Sequence, residues 1–244
     1  MQSNQPDPRI ARGMQTQLGR WRERLNAGEK ALGWKVGFGA PAAMEKLGIT
    51  APLIGFLTDR ALVASGATLS LANWKKPLAE PEIAVHMESD LPADADRDAV
   101  RRAIKGIGPA IELADLDCPP DDVERILAGN IYQRHVILGP CDTSRAGCVL
   151  DGLTGRILRN GTEAARTADP QANTGDLIGI VRHVADVLAA FGEQLRAGQI
   201  IITGSIVPPL WVEAGEEVVF QLDPLGSVSI RFASASSLHP RSSR

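Results

Sequence analysis

The chain has 244 residues, 44% hydrophobic and 23% charged, with a formal net charge of −3. That suffices for an ordinary globular core and gives no basic field of the kind nucleic-acid binding requires. No apolar run approaches the roughly 18 residues of a membrane span, and the polar residues 1–13, with Pro6, Pro8 and Arg9, do not read as a signal peptide.

Residues 8–27 form an amphipathic pattern, with Ile10, Met14, Leu18, Trp21 and Leu25 at three- and four-residue steps and a stop at Gly28. Gly33-Trp34-Lys35-Val36-Gly37-Phe38 reads as a short strand pinched by glycines. Lys35 inside it is costly to bury. It either snorkels to solvent or faces an anion. A short helix over Ala42–Leu47 ends at Gly48. Strands follow near Ile54–Leu57 and Ala67–Leu71, with a turn at Asp59-Arg60 between them.

The central stretch runs from Lys76 to His86. Pro81 breaks any helix there, so Glu82–Val85 opens a strand. Glu80 and Glu82 are two residues apart, which puts both carboxylates on one face of an extended chain. Such a pair either sits on a solvated face or shares a cation or a proton. Asp94 is expected to cap a helix through Lys105, closed by Gly106. The apolar run Ile107–Leu113 then brings a third acid, Glu112. Three carboxylates on neighbouring strands would suit a hard cation, Mg²⁺ or Mn²⁺.

Pro119-Pro120 is expected to start a helix reaching Ala128, and His135–Leu138 reads as a strand. Residues 146–160 suggest a hairpin with arms Cys148–Leu150 and Arg156–Leu158, and residues 161–176 a loop. Leu177–Leu195 has the clearest helical face, interrupted by Gly192. Gln199–Gly204 reads as a strand, Val218–Leu222 and Ser227–Phe232 as a final hairpin, and the Ser-rich residues 233–244 as a disordered tail. No repeat or linker divides the chain, so residues 1–244 are read as one catalytic domain.

Other chemistry is poorly represented. Lys105-Gly106-Ile107-Gly108 is no dinucleotide fingerprint, and no phosphate loop or nucleophile-elbow serine occurs. His86, His135, His183 and His239 have no zinc spacing; His86, nearest the acidic pair, reads equally as structural or catalytic. Cys118, Cys141 and Cys148 also lack metal-ligand spacing and suit a reducing cytoplasm.

Six separated segments, taken in order, resemble the 2-oxopent-4-enoate (2-keto-4-pentenoate) hydratase and 4-oxalocrotonate decarboxylase family of the fumarylacetoacetate hydrolase superfamily. They are Gly33–Phe38, Glu80–Ala84, Ala110–Asp115, Asn130 with Val136–Gly139, Gly198–Ser205 and Leu225–Ile230. The resemblance implies an α+β fold, a mixed β-sandwich or roll with N-terminal and packing helices. It implies Glu80, Glu82 and Glu112 as ligands of Mg²⁺ or Mn²⁺, Lys35 as the catalytic lysine, and Gly204 and Ser205 as substrate contacts. The implied activity is hydration of a 2-hydroxy-2,4-dienoate or 2-oxo-4-enoate in aromatic-compound catabolism, through an enolate that the cation stabilises. Decarboxylation of 4-oxalocrotonate is the alternative. A C–C bond hydrolase or an inactive partner subunit ranks lower. A homo-oligomer, associated with a pathway enzyme, is implied on the same basis, while the cysteines point to the cytoplasm. Two departures stand out: Gly129-Asn130 replaces the family's usual Asp-Asn, and Leu53 stands where the hydratases usually have Asp.

Overall fold

The computed structural model describes residues 7–234, so most of the tail expected at residues 233–244, and His239, lie outside the described residues. In chain order the elements are α1 (Pro8–Asn26), β1 (Ala31–Gly37), α2 (Pro41–Leu47), β2 (Leu53–Thr58), β3 (Leu62–Val63), β4 (Thr68–Leu69), β5 (Pro77–Met87), α3 (Arg97–Ala103) and β6 (Ile104–Asp115). They continue with α4 (Val123–Ala128), β7 (Gln133–Leu138), β8 (Thr154–Arg159), β9 (Thr162–Thr167), α5 (Leu177–Ala190), β10 (Ile200–Ser205), β11 (Leu210–Trp211), β12 (Glu217–Asp223) and β13 (Gly226–Phe232).

Two mixed sheets result, in accord with the expected α+β roll. The larger has the order β2-β1-β10-β5-β6-β7-β3, with β11 added to one end of β5; the smaller has the order β4-β13-β12-β8-β9. β12 and β13 pack against β6 and join the two. The backbone of the large sheet is the long β5–β6 ladder, paired from Pro77↔Asp115 to Met87↔Ile104. Pro81 sits in the middle of β5, where a missing amide hydrogen normally weakens a central strand. Its carbonyl accepts from Ile206 N at 2.9 Å, so it faces β10 at the point where that strand's register shifts, between Ile202 and Ser205.

The large sheet is buried on both faces. One face, with Trp34, Phe56, Ile83, Val85, Ile111, Ile137 and Ile201, joins the main core under the helices and the second sheet. The other carries a small apolar cluster of Leu57, Ala84, Ala110, Val136, Ile200 and Ile202. Directly paired residues share a face. The pairs Lys35↔Ile202, Glu82↔Ala110 and Glu112↔Val136 therefore place the lysine and the acids beside that small cluster. α1 packs on α4, where Gln17 Nε2 donates to Leu127 O at 2.9 Å.

Several boundaries differ from the sequence reading. α3 starts after Asp96, which accepts from Ala99 N at 2.7 Å; Asp94 has φ +56° and cannot cap it. The helix stops at Ala103, because from Ile104 onward the β5 ladder takes the backbone. α4 is capped by Asp122, three residues inside the expected start. The hairpin is β8–β9, not one with arms at 148–150 and 156–158: Gly147, Cys148 and Gly152 have φ of +71°, +64° and +73°, which excludes a strand there. Its turn is Asn160-Gly161, both at positive φ, a two-residue hairpin signal. Residues 162–167 of the expected 161–176 loop are thus strand. α5 ends at Ala190, before Gly192 at φ +78°, while Leu195 instead bridges Leu91.

Candidate metal centre

Glu80 and Glu82 project from one face of β5, and Glu112 of β6 lies directly opposite Glu80. One ligand oxygen from each of the three falls within 4.8 Å of the others. Lys35 reaches the same point from β1. Its Nζ donates to Glu112 Oε1 in a short ion pair and to Ile131 O at 3.1 Å. The pair is fully buried, with side-chain exposures of 2% and 1%, so Lys35 does not snorkel. Its stem crosses the strand over Gly55, its partner in β2. A Cβ at Gly55 would lie 2.8 Å from Lys35 Cγ and 2.9 Å from Asn130 Oδ1; the glycine makes room for both side chains.

Glu82 is held by the backbone. Its Oε2 accepts from Gly204 N at 2.6 Å. Gly204 has φ +95°, a conformation costly to other residues, at the register shift of β10. The remaining oxygens, Glu82 Oε1 and Glu112 Oε2, are buried with no protein N–H or O–H donor, and a proton shared between the two glutamates would pull the Glu112 carboxyl down. Native structures rarely leave such atoms unmatched unless an ion or water fills the gap. Three carboxylates against one ammonium also leave an excess of negative charge in a dry site. Burial, the Glu112 charge next, pushes Glu80 up to about 7, with Lys35 opposing. Burial, then Glu112 and Glu80, push Glu82 well above the carboxylate range. Burial raises Glu112 too, against the pull of Lys35. Without a cation the cluster therefore tends to hold protons. Its all-oxygen donor set, two orphaned buried oxygens and excess negative charge fit a hard divalent cation.

A cavity of about 460 Å³ opens onto this cluster. Glu80, which is only partly buried, and Lys35 line it; Glu82 and Glu112 are not among its lining residues. Its walls are mostly apolar, with Phe38, Leu78, Leu116, Ile131 and Trp211 among them, and Lys35 is the only cationic side chain among the described lining residues. Gly204 and Ser205 line it as well, although the Ser205 hydroxyl donates to Val207 O at 2.7 Å. The sequence marks residues 161–176 only as a loop, yet Asn173 and Thr174 form part of the wall. Asn173 Nδ2 donates to Ser205 O at 2.6 Å, tying that segment to the end of β10. No periodicity or motif marks such a contact in the sequence.

Of the histidines, His86 is four residues along β5 from Glu82, roughly 13 Å at strand rise, and does not line the cavity. His135 stacks on Trp74, and His183 Nε2 contacts Pro52 O at 2.9 Å. Leu53 is buried in the main core. All three cysteines are free. No described helix is long and apolar enough to cross a membrane.

The family model described as fumarylacetoacetate (FAA) hydrolase C-terminal matches residues 25–233. The 2-hydroxyhexa-2,4-dienoate hydratase of Comamonas testosteroni is 28% identical over 234 residues, covering 94% of this chain and 88% of its own. The 4-oxalocrotonate decarboxylase of Pseudomonas putida is 28% identical over 222 residues, covering 86% and 81%. A solved structure of 4-oxalocrotonate decarboxylase from Pseudomonas putida G7, complexed with magnesium and adipate, superposes with a TM-score of 0.85 at 28% identity over 91% of this chain and 86% of its own.

Proposed function

Because the chain belongs to the fumarylacetoacetate hydrolase C-terminal family, we propose that it is a divalent-metal-dependent lyase that hydrates a 2-hydroxy-2,4-dienoate or 2-oxo-4-enoate. In this reading Glu80, Glu82 and Glu112 hold Mg²⁺ or Mn²⁺. When bound, the cation supplies Lewis acidity toward the oxygens of a 2-oxo acid. The chain's own residues do the rest. Glu112 and the Ile131 carbonyl fix the Lys35 ammonium at the cavity floor, where it stabilises negative charge that develops on the substrate oxygens. The Gly204 amide keeps Glu82 oriented. Gly204, Ser205 and Asn173 form part of the cavity wall, and its apolar side chains would enclose an unsaturated tail and limit water.

One observation favours hydration of a monoacid: Lys35 is the only cation among the described lining residues. The distal carboxylate of a diacid would lie among apolar side chains without a partner, which is costly. A second reading, decarboxylation of 4-oxalocrotonate, is supported by the structural neighbour that carries adipate, itself a dicarboxylate. Incubating the protein with Mg²⁺ and either 2-hydroxypenta-2,4-dienoate or 2-oxohex-3-enedioate separates the two. Loss of the dienoate chromophore without carbon dioxide supports the hydratase; carbon dioxide from the diacid alone moves the assignment to the decarboxylase. A single catalytic domain working as a homo-oligomer in the cytoplasm belongs to the same proposal. The free thiols suit a reducing compartment, and sedimentation measures the assembly.

A further inference from the structure

Between α4 and β7 the chain takes a turn that its residues disfavour. Asn130, Ile131 and Tyr132 have φ of +58°, +52° and +61°. Asparagine tolerates that region, but a β-branched isoleucine there is a true outlier. The turn is held from several sides. Ile131 N donates to Ile126 O at 2.8 Å, and Asp115 N donates to Tyr132 O at 3.0 Å. The Asn130 side chain, buried to 8% exposure, acts as an extra strand rung on β2. Its Oδ1 accepts from Phe56 N at 2.8 Å and its Nδ2 donates to Phe56 O at 3.0 Å. Conformations of this cost persist where the surroundings over-determine them, and they concentrate at functional sites.

What the turn presents is the Ile131 carbonyl, which accepts from Lys35 Nζ at 3.1 Å. Apart from Glu112 it is the only hydrogen-bond acceptor found for that ammonium among the described residues. The same clamp sets the Lys35 stem. Asn130 Oδ1 and the Lys35 stem would both crowd a Cβ at Gly55, so they pack over one glycine. Ile131 and Tyr132 also line the cavity.

We propose that Asn130 is a positioning residue: its two hydrogen bonds to Phe56 hold the left-handed turn that aims the Ile131 carbonyl at Lys35 and so fixes the ammonium at the cavity floor. Asn130 touches no substrate and acts through Lys35. The effect on turnover rests on the lyase reading above; the effect on Lys35 itself does not.

A misplacement of about 1 Å in a catalytic group costs on the order of 10²-fold in rate, and that is the expected fall in kcat for Asn130→Ala at saturating Mg²⁺. In a Lys35→Met background the same change should cost less than about 3-fold, because residues acting as a unit are non-additive. Asn130→Gly accepts the left-handed backbone without cost and should fold well while losing kcat as Asn130→Ala does. The Lys35 amine, followed by mass spectrometry after brief acylation, should react faster in both variants than in the wild type, with Mn²⁺ affinity unchanged. Wild-type kcat in Asn130→Gly, a full additive loss in the Lys35→Met background, or unaltered acylation of Lys35 in a folded variant would each overturn the proposal. If the wild type turns over neither substrate but the acylation difference stands, the lyase reading fails and the positioning role survives.

Discussion

Replacing Lys35 by Met tests the chemistry of the cavity floor. Methionine keeps most of the buried stem over Gly55 and removes the charge. Two contacts disappear, those to Glu112 Oε1 and Ile131 O. If Lys35 stabilises charge that develops on the substrate, losing one charge-assisted contact in a dry site costs roughly 2.7–4 kcal/mol, or about 10²–10³-fold in kcat. Breaking a fully buried ion pair also strands its partner, at about 3–5 kcal/mol of stability when nothing compensates. Glu112 has a way out. Without Lys35 its carboxyl moves further up and takes a proton, so the metal-free variant should remain folded. Steady-state kinetics at saturating Mg²⁺, with circular dichroism to confirm folding, distinguish the roles. A fall in kcat greater than any loss of metal affinity supports transition-state stabilisation. A raised KM at constant kcat reduces Lys35 to a substrate anchor. A folded variant with unchanged kcat and KM removes Lys35 from the site.

Other perturbations reach the remaining parts. Glu82→Gln keeps the acceptor for Gly204 N but removes a charge, and should weaken Mn²⁺ binding in calorimetry and abolish turnover; wild-type affinity would contradict its place in the site. Gly55→Ala drives a Cβ into the Lys35 stem and the Asn130 amide, which should cost about 1–3 kcal/mol in denaturant unfolding and lower kcat; no effect would mean that the stem has room to move. The pH response follows from the raised carboxyls. The folded metal-free protein keeps a proton on Glu80 up to about 7, whereas the unfolded chain releases it near its ordinary 4.5. Stability held below that lower pH is therefore lost as pH rises toward 7. A cation that binds the ionised cluster offsets the loss. The gain in Tm on adding Mg²⁺ should then grow from pH 5 to pH 8, and a gain that stays flat over that range would contradict the raised carboxyls.

Much of this site was legible in the residues. Glu80 and Glu82 share a face because strand geometry repeats every two residues, and β5 bears that out. Glu112 was legible as an acid in an apolar run, but only the register of β5 against β6 puts it opposite Glu80. For Lys35 the sequence left burial and snorkelling open; Gly55, twenty residues on, decides it by making room for the stem. The misread elements share a cause, which is local signal overridden by pairing. Residues 104 and 105 carry a helical continuation, yet the β5 ladder claims that stretch. The Asn160-Gly161 turn was present in the sequence, but the apolar Cys148–Leu150 run drew the hairpin upstream. Asn173 and Thr174 had no signal at all, since their role comes from a loop lying against the end of β10. The left-handed turn at Asn130–Tyr132 was equally invisible, because nothing in an isoleucine announces a positive φ.

The claim on which the rest depends is that Glu80, Glu82 and Glu112 hold one divalent cation. Diffraction from crystals soaked in Mn²⁺, with anomalous data collected near the manganese edge, tests it most directly. A single strong anomalous peak is expected within bonding distance of one oxygen from each of the three glutamates, facing the cavity and absent in Glu82→Gln. A peak elsewhere, or none in crystals shown to contain Mn²⁺, would contradict it.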